Sequence, residues 1–146
     1  MNQIELPREL VYGPVQSRRL GNSLGINLCG QIKICSFNCP YCELGFSEVT
    51  MNYIKKEYNF PTVEVVETAL REKLRDLIAQ QNPPDHLTLS GYGEPTLHPQ
   101  FLDVVARLLE VRQDLCPQVK IVALTNAAHL DNKRVVHGLN QLDERM

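Results

Sequence analysis

The sequence predicts an α/β fold built around a parallel sheet. Three short apolar runs alternate with three longer segments in which apolar residues recur at every third or fourth position. Strands that alternate with helices in this way are typical of βαβ units, whose right-handed crossovers make the strands parallel. The chain has 146 residues, of which 43% are hydrophobic and 22% charged, so it is long enough for one domain with its own core.

The predicted strands are the short apolar runs. They are residues 23–28 (SLGINL), 86–90 (HLTLS) and 120–125 (KIVALT). Runs of this length, bounded by turn-forming residues, suit buried strands. Residues 52–60 (NYIKKEYNF) alternate only weakly, so they predict either an irregular excursion or an edge strand.

The predicted helices are the segments with a period of three to four residues. Thr62 is suited to cap the first, Pro99 lies where the second can begin, and Asp131 is suited to cap the third. The first ends at the prolines of NPPD, because proline cannot continue a helix. Its apolar stripe is Val63, Val66, Leu70, Leu74, Leu77 and Ile78. The stripe of the second is Phe101, Val104, Val105, Leu108 and Leu109. The inward residues of the third are Val135, Val136, Leu139 and Leu142.

Composition and charge argue against several classes of function. The net charge of −2 gives no electrostatic basis for non-specific binding to nucleic acid. No apolar run approaches the roughly 20 residues of a membrane span, and MNQIELPREL does not resemble a secretory signal. We therefore expect a cytoplasmic protein in a reducing environment. Arg18 and Arg19 form a local basic pair, which is either a solvated turn or a contact for an anionic substrate or cofactor.

The five cysteines fall into two groups. Cys29 ends an apolar run and Cys116 follows a helical pattern, so both are expected to be buried structural thiols. Cys35, Cys39 and Cys42 lie within eight positions of each other in the stretch IKICSFNCPYCELG. Since a chain without an export signal does not need a disulfide framework, these three thiols call for another explanation.

Three kinds of site compete for these thiols. A structural zinc ion usually needs four protein ligands, so a non-catalytic zinc module would need Cys29 beside Cys35, Cys39 and Cys42. A dithiol redox motif would use CPYC and leave Cys35 unexplained. An iron–sulfur cube held by three thiolates keeps one iron open, and an open metal position is what metal catalysis uses. The spacing favours the cluster over the other two.

The stretch CSFNCPYC resembles the C-x3-C-x2-C signature of the radical S-adenosylmethionine (radical SAM) superfamily, with Tyr41 as the aromatic residue before the last cysteine. The resemblance implies that Cys35, Cys39 and Cys42 bind a [4Fe–4S] cluster whose open iron chelates S-adenosylmethionine. It implies reductive cleavage of that cofactor to a 5′-deoxyadenosyl radical, and an electron donor such as flavodoxin or ferredoxin. Tyr41 would shape the adenine side of the cofactor site.

Two later segments extend the resemblance. SGYGEPTLHP is similar to the Gly-Gly-Glu region that binds the cofactor's ammonium group, and the match falls on Gly91, Gly93 and Glu94. A carboxylate and backbone carbonyls suit a cationic amine, and glycine permits a close approach of the backbone. LTNA, at residues 124–127, resembles a Thr-Asn-Gly run near the cofactor and implies a weaker role for Asn126 and its neighbour Thr125. Alanine replaces the usual glycine there.

The segment GPVQSRRLGNSLGI resembles a branch of loosely characterised iron–sulfur oxidoreductases near the wyosine-base synthesis proteins. In that branch Tyr12, Arg18 and Arg19 could be functional, although packing or solvation explains them almost as well. The sequence names no substrate. The histidines are expected to be surface or capping residues rather than bases: His86, His98, His129 and His137.

The superfamily core is a partial barrel of about six βα units, and this sequence supplies roughly half of them. It stops at LNQLDERM, where the next core strand should start. We therefore expect residues 1–146 to form a single radical SAM core domain, truncated at its C-terminal end, with the fold of an incomplete parallel βα barrel. A second chain or self-association could complete that barrel.

Overall fold

The computed structural model of the chain describes residues 9–47, 49–50 and 59–145. Its strands are β1 (Val11–Ser17), β2 (Gly21–Ile26), β3 (Ile34–Cys35), β4 (Val49–Thr50), β5 (His86–Leu89), β6 (Lys120–Ala123) and β7 (Glu144–Arg145). Its α-helices are α1 (Val63–Ala79), α2 (Phe101–Leu115) and α3 (Lys133–Asn140). A short 3-10 helix covers Pro95–Leu97. Most of the weakly alternating stretch 52–60 lies outside the described residues.

The main sheet has five strands in the order β1-β2-β5-β6-β7. Strands β2, β5, β6 and β7 are parallel neighbours, as the sequence predicts. Strand β1 pairs with β2 in the antiparallel sense and was not predicted. Its register is interrupted between Tyr12 and Val15, where Gly13 and Pro14 remove the alternation that marks a strand in sequence.

The predicted helices are present, with corrections at two starts. Thr62 caps α1 as predicted, since its hydroxyl accepts a hydrogen bond from the backbone N–H of Val65 at 3.3 Å. The second helix starts after Gln100, not at Pro99. The prediction of Asp131 as the cap of α3 is wrong, because the side chain of Asn132 makes the capping bonds. Asp and Asn are nearly equal as caps, so two such residues in a row cannot be told apart by type.

One hydrophobic core lies between the sheet and the helices. Leu24, Ile26, Leu87, Leu89 and Ile121 of the strands are fully buried in it. Helix α1 packs against α2, and α2 against α3. The predicted stripes are buried with three exceptions, and each exception follows a buried residue in the chain: Ile78 after Leu77, Leu109 after Leu108, and Val136 after Val135. These three residues lie at the margins of the buried faces, whereas the adjacent Val104 and Val105 at the centre of the α2 face are both buried.

The connectivity agrees with the predicted βα units. Within the main sheet, each parallel strand pairs with the next main-sheet strand along the chain, as in βα barrels. Strands β3 and β4 pair with each other in a separate two-stranded sheet. Across the described residues the sheet is open, with β1 and β7 at its edges. The structure therefore shows an α/β fold with a mixed sheet and three helices, and the incomplete barrel stays a prediction. None of the helices in the described ranges has both the length and the apolar character needed to cross a bilayer.

Candidate functional site

Three loops leave the carboxyl ends of adjacent parallel strands. The cysteine loop (residues 33–47) follows β2, the GYGE loop (residues 90–94) follows β5, and the LTNA loop (residues 124–127) follows β6. Loops at this edge of a parallel sheet are where α/β folds bind ligands. The sequence predicts that they converge, and the hydrogen bonds between them confirm it.

The cysteine loop pairs with the GYGE loop through the main chain. The Ile34 N–H donates to the Tyr92 carbonyl at 3.1 Å, and the Glu94 N–H donates to the Ile34 carbonyl at 2.9 Å. These bonds form an isolated parallel bridge between Ile34 and Gly93. The residue next to Cys35 is therefore fixed to the GYGE loop by backbone contacts.

Both glycines of the GYGE loop are needed for this packing. Gly93 has φ of +146°, and a Cβ there would overlap the carbonyl oxygen of Ile34. Gly91 has φ of +135°, and a Cβ there would lie 2.7 Å from the Cβ of Asn27. The buried Asn27 side chain also accepts a hydrogen bond from the Tyr92 N–H at 3.1 Å. The glycines thus allow close packing between the chain's own loops, and Gly93 lies against the residue before Cys35.

Glu94 is the buried centre of the site. Its Oε1 accepts hydrogen bonds from the Thr96 hydroxyl at 2.6 Å, the Thr96 N–H at 3.2 Å and the Thr125 hydroxyl at 2.6 Å. Its Oε2 accepts one from the Asn126 N–H at 2.7 Å. A carboxylate has about four acceptor sites, two on each oxygen. Oε2 is therefore the oxygen with a lone pair left for a further donor.

Asn126 connects Glu94 to the first cysteine. Its side-chain Nδ2 lies 3.6 Å from the Cys35 sulfur and donates to it. The next residue, Ala127, has φ of +61°, a conformation that favours glycine. The LTNA loop thus has the backbone shape of the glycine-containing run that it resembles, despite the alanine.

The other two cysteines share a turn of the cysteine loop. The Cys42 N–H donates to the Cys39 carbonyl at 3.1 Å. Nζ of the buried Lys33 lies 3.4 Å from the Cys42 sulfur. Tyr41 is 85% exposed between them, and a hydrogen bond to Cys39 raises the pKa of its hydroxyl. Tyr41 therefore lies on the solvent-exposed surface of the cysteine loop.

The chemistry of these donors fits a thiolate-bound metal group. Cys35, Cys39 and Cys42 are free and half-buried, and an amide and an ammonium donate to two of their sulfurs. Hydrogen-bond donors of this kind commonly surround the ligands of metal sites. Within residues 9–47, 49–50 and 59–145, no three His, Cys, Asp or Glu side chains are gathered closely enough to hold a metal ion. The fit therefore rests on the donor set and its neighbours.

Comparison with known proteins identifies the family. The family model described as the Radical SAM superfamily matches residues 32–144, which include all three loops. The chain belongs to the radical SAM superfamily. The predicted superfamily is thereby confirmed.

The chain is also similar to several UPF0026 proteins. The one from Helicobacter pylori (strain ATCC 700392 / 26695) is 34% identical over 134 residues, which cover 92% of this chain and 40% of the relative. The one from Synechocystis is 40% identical over 136 residues, covering 92% and 45%. The one from Methanocaldococcus jannaschii is 33% identical over 120 residues, covering 82% and 33%. This radical SAM chain thus spans less than half the length of these relatives. No solved structure matches it.

Cys29 of this radical SAM chain is a buried thiol, as predicted. The residue is 3% exposed. Its sulfur lies 3.7 Å from the Ile34 carbonyl oxygen and 3.6 Å from the Glu94 carbonyl oxygen. Burial, together with the nearby charges of Glu94 and Cys35, raises the pKa of Cys29 to about 12. Cys29 therefore faces backbone carbonyl oxygens in this structure. Cys116 is also buried, as predicted.

The N-terminal candidates lie in different places. Arg18 and Arg19 form the turn before β2, at the amino end of the strand whose carboxyl end leads to the cysteines. That position favours the solvated turn. Tyr12 packs over Gly25 of β2, and its hydroxyl is hydrogen-bonded to Ser90 of the GYGE loop at 2.8 Å. Burial raises the pKa of Tyr12.

The expectation for the histidines is wrong for one of them. His129 is buried, and its Nε2 lies 2.6 Å from the hydroxyl of Ser36. The pair joins the loop before α3 to the cysteine loop. No local pattern signals it, because the two residues are 93 positions apart. His98 is also buried, but its Nδ1 accepts a hydrogen bond from the Gln100 N–H in the expected capping arrangement.

The sequence reasoning also missed Lys33 and Asn27. Asn27 is buried and ties its own loop to the GYGE loop, yet an asparagine after a strand reads as a turn residue. Lys33 had a usable signal, since a basic residue close to cysteines is a known means of stabilising thiolates.

Proposed function

We propose that this chain is the part of a radical SAM enzyme that binds a [4Fe–4S] cluster and S-adenosylmethionine. The observation that carries the proposal is the hydrogen-bonded path from Glu94 through Asn126 to Cys35. That path joins the three segments of the family resemblance at one edge of the sheet. A set of unrelated surface loops would have no reason to share it.

Cys35, Cys39 and Cys42 would hold the cluster. When bound, such a cluster supplies the single electron that cleaves S-adenosylmethionine to methionine and a 5′-deoxyadenosyl radical. The chain's own residues bind and orient: Asn126 holds the Cys35 sulfur, and the bridge between Ile34 and the GYGE loop holds the backbone beside it.

Glu94 and the glycines beside it would receive the cofactor's ammonium group. Oε2 of Glu94 has one lone pair left after the bond from Asn126, and a carboxylate forms strong, charge-assisted bonds to ammonium. Backbone carbonyls of Gly91 and Gly93 would be further acceptors for the same group. Tyr41, exposed on the cysteine loop, would lie on the adenine side.

The electron would come from a protein such as flavodoxin or ferredoxin, since the cleavage consumes one electron. The substrate from which hydrogen is abstracted is unknown. A second chain or self-association would complete the barrel that the family resemblance implies.

Anaerobic reconstitution with iron and sulfide tests the proposal. We expect wild-type protein to acquire iron and sulfide and a broad absorption that bleaches on reduction with dithionite and changes with S-adenosylmethionine. Replacing Cys35, Cys39 or Cys42 by serine should abolish most of that absorption. Measured iron, sulfide and zinc per chain, with the reduced spectrum, give the readout.

Cys29→Ser is the matched control. It changes a nearby buried thiol whose contacts are to carbonyl oxygens, so cluster content should be unchanged. Colourless protein with one zinc per chain, and loss of that zinc in Cys29→Ser, would instead establish the zinc module.

A further inference from the structure

Lys33 is a buried cation beside the cysteine loop. It is 4% exposed, and its Nζ donates to the Cys42 sulfur at 3.4 Å and to the Gly45 carbonyl oxygen. Burying an ammonium group is costly unless an opposite charge or strong acceptors compensate for it.

No carboxylate takes this role among the described residues. The ion pairs of the structure involve arginines of the helices and their Asp or Glu partners, and Lys33 is in none of them. Among the described residues, the Lys33 ammonium instead contacts the Gly45 carbonyl oxygen and the sulfur of Cys42, which would be a cluster ligand.

The contacts of Lys33 also shape the loop. Its backbone carbonyl accepts a hydrogen bond from the Ser47 hydroxyl at 2.9 Å, while its side chain reaches Gly45 and Cys42. Both ends of the residue thus hold the second half of the cysteine loop. Cys42 is fixed relative to Cys35 through a residue only two positions away from the latter.

We propose that Lys33 is a positioning residue that holds the Cys42 sulfur and neutralises part of the negative charge of a bound cluster. The proposal rests on the proposed function. A cation next to a ligating sulfur favours the more negative, reduced state of a cluster, so Lys33 raises its reduction potential. Outer-shell partners of metal ligands typically change metal affinity by 10–100-fold when removed.

The test compares Lys33→Met, Lys33→Gln and Lys33→Arg with wild type after anaerobic reconstitution. Glutamine can still donate to the Gly45 carbonyl, so it keeps the test valid if the methionine variant does not fold, as judged by circular dichroism of the apoprotein. Lys133→Met is the matched control, because it removes the same charge from an exposed position on α3.

Two quantities are measured: the rate at which a chelator removes iron, and the midpoint potential from a dithionite titration followed by absorbance. We expect both neutral variants to lose iron about tenfold faster. We expect the midpoint potential of both neutral variants to become more negative by about 59 mV. For one electron this corresponds to a tenfold change in the ratio of oxidised to reduced cluster. Lys33→Arg and Lys133→Met should keep the wild-type potential.

The outcomes separate the two proposals. A wild-type potential in the neutral variants, or an equal shift in Lys33→Arg, would overturn the role of the Lys33 charge and leave the proposed function standing. Wild-type protein that takes up no iron and sulfide would overturn the proposed function itself, and the role of Lys33 with it.

Discussion

Single residues connect the separate parts of this site. Asn126 donates from its backbone to Glu94 and from its side chain to Cys35, so the conformation of the LTNA loop bears on a predicted cluster ligand. The same loop contains Ala127 at φ of +61°, and its N–H donates to the Thr125 hydroxyl at 3.1 Å. The alanine therefore keeps the loop geometry at a conformational cost.

Replacing Ala127 by glycine should remove that cost. A non-glycine residue in the left-handed region is disfavoured by about 1–2 kcal/mol. The greater freedom of glycine in the unfolded chain offsets about 0.4–1 kcal/mol of this, so we expect Ala127→Gly to raise the free energy of unfolding by roughly 0.5–1 kcal/mol. Urea denaturation measures it. In the control, Ala128→Gly, φ is not positive, and a loss of about 0.4–1 kcal/mol is expected. A lower free energy of unfolding in both variants would contradict the conclusion that Ala127 is conformationally strained.

At the scale of elements, the backbone bridge between the cysteine loop and the GYGE loop holds the two loops together. It consists of backbone hydrogen bonds that only a glycine at position 93 permits. A Cβ at this position would meet the carbonyl of Ile34, which is part of a paired backbone and cannot rotate away. The two loops would have to separate.

Gly93→Ala should therefore be more damaging than the same change at Gly45. Both glycines have positive φ, but a Cβ at Gly45 would meet no atom within 4 Å. We expect Gly45→Ala to lower the free energy of unfolding by about 1 kcal/mol from conformational strain, and Gly93→Ala by about 2 kcal/mol more from overlap. Equal losses of unfolding free energy in a denaturant titration would show that the backbone bridge between the two loops does not constrain the fold.

At the scale of the whole molecule, buried groups that keep their protons lower the free energy of unfolding at alkaline pH. Burial raises the pKa of Cys29, Cys116 and Tyr12, and that of Cys29 reaches about 12. Above the usual thiol pKa of about 8.5, the unfolded chain loses its proton while folded Cys29 keeps it. The folded state then binds more protons, so stability is full below about pH 8.5 and falls as pH rises towards 12.

The Cys29 contribution is expected to be about 1.4 kcal/mol for each pH unit in that window. Between pH 8.5 and 10, wild-type apoprotein should lose on the order of 2 kcal/mol more unfolding free energy than Cys29→Ser. Urea denaturation under anaerobic, reducing conditions measures both. Parallel pH profiles for the two proteins would mean that Cys29 titrates normally in the fold.

Much of the fold was predictable because it depends on local pattern. The period of the apolar residues gave α1, α2 and α3, and the stretch 86–90 gave β5. Strand β1 escaped prediction because Gly13 and Pro14 interrupt its pattern, and its pairing with β2 is a tertiary fact. The choice of Asn132 as a cap likewise depends on the actual path of the chain before α3.

The sequence alone determined the α/β class, the cysteine spacing and the family segments, because these depend on residue type and on separations of a few positions. Only the tertiary structure decided which groups meet the cysteines. Lys33 lies against Cys42, Asn126 against Cys35, and His129 against Ser36. Two of these three contacts join residues more than 90 positions apart, and packing at one edge of the sheet, rather than any local preference, brings them together.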